Sequence, residues 1–215
     1  MALESKICGV SDRAAIEAAA RGGASWIGLV FFPPSPRAVT PEQAEALAAA
    51  TPAGLGRAGL FVDPDDALLE RVLARVPLEL LQLHGSEAPR RVAEIRARFG
   101  RPVMKAIKVA QAEDLEAVEA YAPVVDRLLF DAKAPKSMAG ALPGGNALSF
   151  DWRLLAGRRW PRPWMLSGGL KAETLAEAVA TTGAAAVDVS SGVESAPGAK
   201  DPALIAAFLE RARSL

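Results

Sequence analysis

Two side chains in this sequence are suited to exchange protons with a small molecule. One is the sole cysteine, in Lys6-Ile7-Cys8-Gly9; the other is Asp131, which closes the apolar run Leu128-Leu129-Phe130. A free thiol is roughly 3% thiolate at neutral pH, so Cys8 can act as a base only if its pKa is lowered or the substrate assists. Alternation along an extended segment puts Lys6 and Cys8 on one face and Ile7 on the other, and a lysine charge there would favour the thiolate. A cysteine that merely fills buried space fits the same position. Asp131 ends an apolar strand, and a carboxyl on an apolar floor is pushed towards its protonated form, the form a general acid needs. A helix-capping or loop carboxylate is the plainer alternative. Leu129 shares the face of Asp131, while Leu128 and Phe130 point the other way.

Other residues suit anions. Three prolines in Pro33-Pro34-Ser35-Pro36-Arg37 stiffen the loop that carries Arg37, and a held guanidinium fits a carboxylate or a phosphate. A surface arginine paired with a helix carboxylate is the alternative. Ser167-Gly168-Gly169 and Ser190-Ser191-Gly192 combine glycines, whose backbone N–H groups can approach an anion closely, with hydroxyl donors. Each tripeptide alone is ordinary turn chemistry. Gln82 and His84 share an inward face, and with no second histidine His84 reads as a hydrogen-bonded structural residue. One histidine and one cysteine make a poor His/Cys metal site.

These residues need a scaffold that brings them together, and the chain has one rhythm from end to end. Short apolar runs rich in Val, Ile, Leu and Phe fall at 6–10, 26–32, 57–62, 78–85, 103–109, 126–132, 164–169 and 185–192. They have the character of strands buried on both faces. Alanine-rich amphipathic stretches lie between them. The segment 11–23 predicts a helix capped by Ser11 and closed by glycine, and 40–50 one capped by Thr40 with Pro41 at its first position. Segments 63–76, 86–100, 111–122, 171–183 and 201–215 read alike, and 150–157 is a weaker helix.

Eight such units in 215 residues is roughly 27 residues each, near the ~30 of a βαβ unit. The alternation implies a parallel sheet, and eight units without a linker imply a (β/α)8 TIM barrel forming a single domain over 1–215. An open doubly wound sheet would normally show G-x-G-x-x-G after the first strand, where this chain has Cys8-Gly9-Val10-Ser11-Asp12. Barrel chemistry stands at the C-terminal strand ends. Cys8, Arg37, His84, Asp131, Gly168, Gly169, Asp188, Ser190, Ser191 and Gly192 all fall there, and the long segment 133–150 is expected to be a functional loop. With 25 basic and 25 acidic residues there is no net charge to suggest nucleic acid as a partner. No apolar run suggests a signal peptide or a membrane span. A small-molecule ligand and a soluble, cytoplasmic protein, monomer or homodimer, are expected.

Taken in order, KICG, GLVFFPPSPR, LQLHG, LLFDAK, SFDW, LSGGL and VDVSSGVESAPGAKD resemble the phosphoribosylanthranilate isomerase family over residues 6–201. The resemblance implies an Amadori rearrangement of N-(5-phosphoribosyl)anthranilate in tryptophan biosynthesis, with no metal or organic cofactor. It implies Asp131 as general acid, Cys8 as general base and Arg37 on the anthranilate carboxylate. It places Asp188 near the anthranilate amine, and Gly168, Gly169, Ser190, Ser191 and Gly192 around the phosphate. Departures are Ala38, Ser167 and Ala147, the last standing where a glycine is usual. A histidine-pathway phosphosugar isomerase would use two aspartates, whereas strand one here ends in cysteine. A non-catalytic phosphoribosyl-binding barrel would need neither Cys8 nor Asp131.

Overall fold

The computed structural model describes residues 3–135, 137–138 and 142–215. Four residues of the expected 133–150 loop, at 136 and 139–141, lie outside the described residues. Eight strands alternate with helices: β1 Glu4–Cys8, α1 Arg13–Gly22, β2 Trp26–Val30, α2 Pro41–Ala50, β3 Gly56–Phe61, α3 Asp66–Leu73, β4 Leu80–Leu83, α4 Pro89–Phe99, β5 Val103–Val109, α5 Ala117–Tyr121, β6 Arg127–Ala132, β7 Trp164–Leu166, α6 Ala172–Thr182 and β8 Ala186–Val189. A short antiparallel ribbon, β9 Glu194–Ala196 and β10 Ala199–Lys200, precedes α7 Pro202–Arg213. Strands β1 to β8 are parallel and close into a barrel. The seam joins β1 to β8, with Lys6 in register with Asp188.

Strand alternation sorts the side chains into two layers. Outward residues such as Ile7, Leu128 and Phe130 pack with Ile16, Ile95 and Phe208 of the helices. Inward, Ala58, Leu80, Met104, Ala106, Leu129, Met165 and Ala186 form a small separate apolar floor. Asp131 therefore stands above Leu129, as the two-residue period requires. Both layers are buried, and polar residues such as His84, Asp131 and Asp188 share the interior at the C-terminal strand ends.

Local chemistry explains most helix boundaries and corrects some. Thr40 and Gln43 form a reciprocal capping box at the start of α2, with Pro41 in the first turn. The cap of α1 is Asp12 rather than Ser11: its carboxylate accepts from the Ala15 N–H at 2.9 Å. The expected helix at 111–122 is broken into a 3-10 turn, the short α5 and a second 3-10 turn. Asp114 accepts from the Ala110 and Gln111 N–H groups, tightening the entry, and Pro123 can supply no N–H for continuation. The weak helix at 150–157 is only a 3-10 turn, Trp152–Leu155, ended by Gly157 at φ 68°. Among the described residues no helix is long and apolar enough to cross a membrane.

The first and last units lock together outside the seam, where α1 packs on α7 and Arg213 donates to the Gly22 carbonyl. Leu209, 1% exposed, lies within this layer. Leu209→Ala is expected to lower stability by about 2–5 kcal/mol. A urea titration checks this: the midpoint should fall with an unchanged slope.

Candidate active site

At the end of β1 the side chains of Lys6 and Cys8 turn inward, both buried. The Lys6 ammonium donates to Asp188 Oδ1 across the seam at 2.8 Å, and Ser167 donates to Asp188 Oδ2 at 3.3 Å. Thiol and ammonium converge beside Gly28 of β2. A Cβ there would lie 2.8 Å from Cys8 Sγ and 3.0 Å from Lys6 Nζ, so only glycine leaves room for both. Burial disfavours the charged form of Lys6, but Asp188 and Cys8 together outweigh it, and the net direction is upward. For Cys8 the balance runs the other way. Burial pushes the thiol up, the Lys6 charge pulls it down, Asp188 pushes it up again, and the net direction is upward. The expected pull of Lys6 exists, but it does not prevail in the resting protein, because burial of the thiol, with Asp188 added to it, outweighs it.

Asp131, at the tip of β6, has a partner that sequence reasoning missed. His84 Nε2 lies 3.0 Å from Asp131 Oδ2, and Gln82 Nε2 lies 2.9 Å from His84 Nδ1. In the tautomer protonated at Nε2, the ring donates to Asp131 while Nδ1 accepts from the Gln82 amide. His84 is thus hydrogen-bonded, as expected, but to the candidate acid. The signal was present in the shared inward face of Gln82 and His84; the partner, 47 residues away, was not. The loop after β6 passes directly over the pair: a Cβ on Gly144 would lie 2.7 Å from His84 Nε2 and 3.0 Å from Asp131 Oδ2.

Arg37 is only 5% exposed, so it is not a surface residue. Its carboxylate partner is Glu194 of β9, not a helix residue: Nε donates to Oε1 at 2.7 Å and Nη2 to Oε2 at 2.8 Å. Lys200 also donates to Glu194, at 2.7 Å, and to the Ser190 carbonyl at 2.9 Å. Glu194 and Lys200 stood within the VDVSSGVESAPGAKD run without being singled out.

A cavity is lined by Cys8, Arg37, His84, Asp131 and Asp188. A second is lined by Gly168, Gly169, Ser190, Ser191 and Gly192. Asp131, Gly145, Ser167, Asp188 and Ser190 line both, so the two form one cleft with two ends. Gly168 and Gly169 have φ of 88° and 66°, and the turn Ser191–Val193 is one short 3-10 helix. Ala147 lines the same end with φ of 56°, a left-handed conformation that glycine adopts without cost. Every residue expected at the site lines this cleft. Among the described residues no group of three His, Cys, Asp or Glu side chains is placed to hold a metal.

A family model described as N-(5'-phosphoribosyl)anthranilate (PRA) isomerase matches residues 5–211. The chain belongs to this family. A curated relative from Rhodospirillum centenum, named N-(5'-phosphoribosyl)anthranilate isomerase, is 62% identical over 215 residues, 100% of both chains. The crystal structure of the Thermotoga maritima phosphoribosyl anthranilate isomerase superposes with a TM-score of 0.88 at 34% identity, covering 99% of this chain and 100% of that one. A further family structure, solved with reduced 1-(o-carboxyphenylamino)-1-deoxyribulose 5-phosphate, has a TM-score of 0.85 at 32% identity, covering 99% of this chain and 100% of that one.

The electrostatics of Cys8 predict a measurable sign. Alkylation of the thiol should follow a pH midpoint above the ordinary cysteine range, and Lys6→Met should move it higher, because a positive charge is lost and Asp188 is left unopposed. The rate of iodoacetamide modification against pH reads both. An unmoved midpoint in the variant would mean that the Lys6 charge does not reach the sulfur.

Proposed function

We propose that this chain, working as one cytoplasmic domain, converts N-(5-phosphoribosyl)anthranilate to 1-(2-carboxyphenylamino)-1-deoxy-D-ribulose 5-phosphate. One observation carries the assignment of roles. A single cleft holds Cys8 and Asp131, with Arg37 in one end and the glycine–serine loops in the other. That arrangement matches a substrate with a carboxylate at one end, a phosphate at the other and a reacting sugar between them.

Asp131, protonated, gives its proton to the furanose ring oxygen. The C1–O bond breaks towards that oxygen, and the nitrogen lone pair forms the C=N⁺ bond of an iminium. The carboxylate left on Asp131 stays within hydrogen-bond reach of His84, whose Nε2 lies 3.0 Å from Oδ2. The C2 proton is now acidic, because its bonding electrons can flow into the iminium. Cys8 takes it as thiolate, C1=C2 forms, and the nitrogen recovers its lone pair. The enolamine then tautomerises to the ketone. What C2 loses in hydrogen C1 gains, so the rearrangement balances internally and calls for no external oxidant or reductant.

The raised thiol pKa fits this order of events. In the resting cleft Cys8 holds its proton. The cationic iminium forming next to the sulfur favours the thiolate, so the thiol gives its own proton to solvent at that stage and the C2 proton then takes its place. Asp188, held by Lys6 and Ser167, is the acceptor nearest the anthranilate amine in this reading. Gly168, Gly169, Ser190, Ser191 and Gly192 hold the phosphate.

Purified protein should turn over phosphoribosylanthranilate, followed by the change in anthranilate fluorescence. Cys8→Ala and Asp131→Asn should each lower kcat by about 10²–10⁴-fold with little change in KM. Near-wild-type kcat in either variant would remove that residue from its role. Arg37→Ala should act mainly on KM, and inorganic phosphate should compete with substrate; an unchanged KM, or no competition, would place the carboxylate or the phosphate elsewhere.

A further inference from the structure

Glu194 is a buried carboxylate, 4% exposed, between two buried cations, and the chemistry above does not use it. Its geometry limits what Arg37 can offer a ligand. A guanidinium has five N–H donors. Nε donates to Glu194 Oε1 at 2.7 Å, and Nη2 donates to Glu194 Oε2 at 2.8 Å and to the Gly145 carbonyl at 3.1 Å. Those bonds use three donors. The two on Nη1 have no partner among the described residues. Nη1 lies beside Gly145, where a Cβ would come within 2.6 Å and cover it.

We propose that Glu194 is the positioning residue that fixes Arg37 so that Nη1 alone receives the ring carboxylate of the substrate. This rests on the reading of Arg37 given above. The fork of Arg37 is spent on the protein, and the ligand meets a single nitrogen with a set direction. Lys200 anchors Glu194 from the other side and ties it to Ser190 through the carbonyl at 2.9 Å and Oγ at 3.3 Å. The carboxylate end and the phosphate end of the cleft thereby share one chain of charged hydrogen bonds. Arg37 and Lys200 both face the one Glu194 carboxylate, and the Nη1 side of the guanidinium is left for the ligand.

The test compares two ligands, reduced 1-(o-carboxyphenylamino)-1-deoxyribulose 5-phosphate and the same compound without its ring carboxyl. Dissociation constants are measured on wild type, Glu194→Gln and Glu194→Asp. Wild type should prefer the carboxylated compound by about 10-fold or more, the range of one hydrogen bond between charged groups. Glu194→Gln, which keeps the shape but not the charge, should shrink that preference at least about fivefold by releasing the guanidinium. Glu194→Asp, which keeps the charge but is one methylene too short to reach both nitrogens, should shrink it as well. Affinity for the carboxyl-free compound should hold within about twofold, because it does not reach Nη1 and Lys200 keeps its own bonds to Ser190.

Equal loss for both ligands would make Glu194 merely structural and overturn the proposal. So would an unchanged preference, or one that grows because Glu194 had been competing for the guanidinium. If wild type itself shows no preference, the placement of the carboxylate on Arg37 fails first. A preference retained in both variants sinks the role of Glu194 alone.

Discussion

An ammonium buried inside a β-barrel has to find a carboxylate, and the one that Lys6 finds governs much of this structure. Lys6 and Asp188 are register partners on β1 and β8, and their side chains meet at 2.8 Å. The pair therefore sits on the seam where the first and last strands close the barrel. Removing one partner from such a pair leaves an uncompensated buried charge, at a cost of about 3–5 kcal/mol. The same pair sets the field around Cys8. The thiol meets a cation and an anion together, their effects oppose, and burial decides that it rests protonated.

Buried cations elsewhere around the inner wall also meet carboxylates, though not one for one. Glu194 answers Arg37 and Lys200, and Glu87 answers Lys105 at 2.8 Å. Below this belt lies the apolar floor, with alanines at 58, 106 and 186. The small residues leave volume for the long side chains above them, since barrel interiors are filled layer by layer. Donors and acceptors fixed by such pairs are oriented before a ligand arrives. This is the preorganisation that electrostatic catalysis requires.

Loop geometry completes the cleft. The segment after β6 lays Gly144 over the His84–Asp131 pair and turns the Gly145 carbonyl onto Arg37. One loop thus touches both the candidate acid and the candidate carboxylate receptor. Two residues on, Ala147 holds a left-handed backbone at φ 56°, where an L-residue with a Cβ is strained by roughly 1–2 kcal/mol. The glycine usual in the family at this position would carry no such strain.

The sequence by itself determined the eight-unit barrel and the rank of residues at its C-terminal end. Those features depend on neighbours: a two-residue period in strands, a cap beside each helix, glycine and serine at turns. It also placed Asp131 over Leu129 and Cys8 beside Lys6, since alternation is local. Where several local signals competed, it erred by a residue, as at Ser11 and Asp12, or overextended a helix, as at 111–122. Only the tertiary structure decided who pairs with whom. His84 meets Asp131 across 47 residues, Arg37 meets Glu194 across 157, and Lys6 meets Asp188 across 182. No periodicity along the chain encodes such distances. They arise when closure of the barrel turns strand ends far apart in sequence into neighbours around one rim, and the cost of burying a charge then selects its partner.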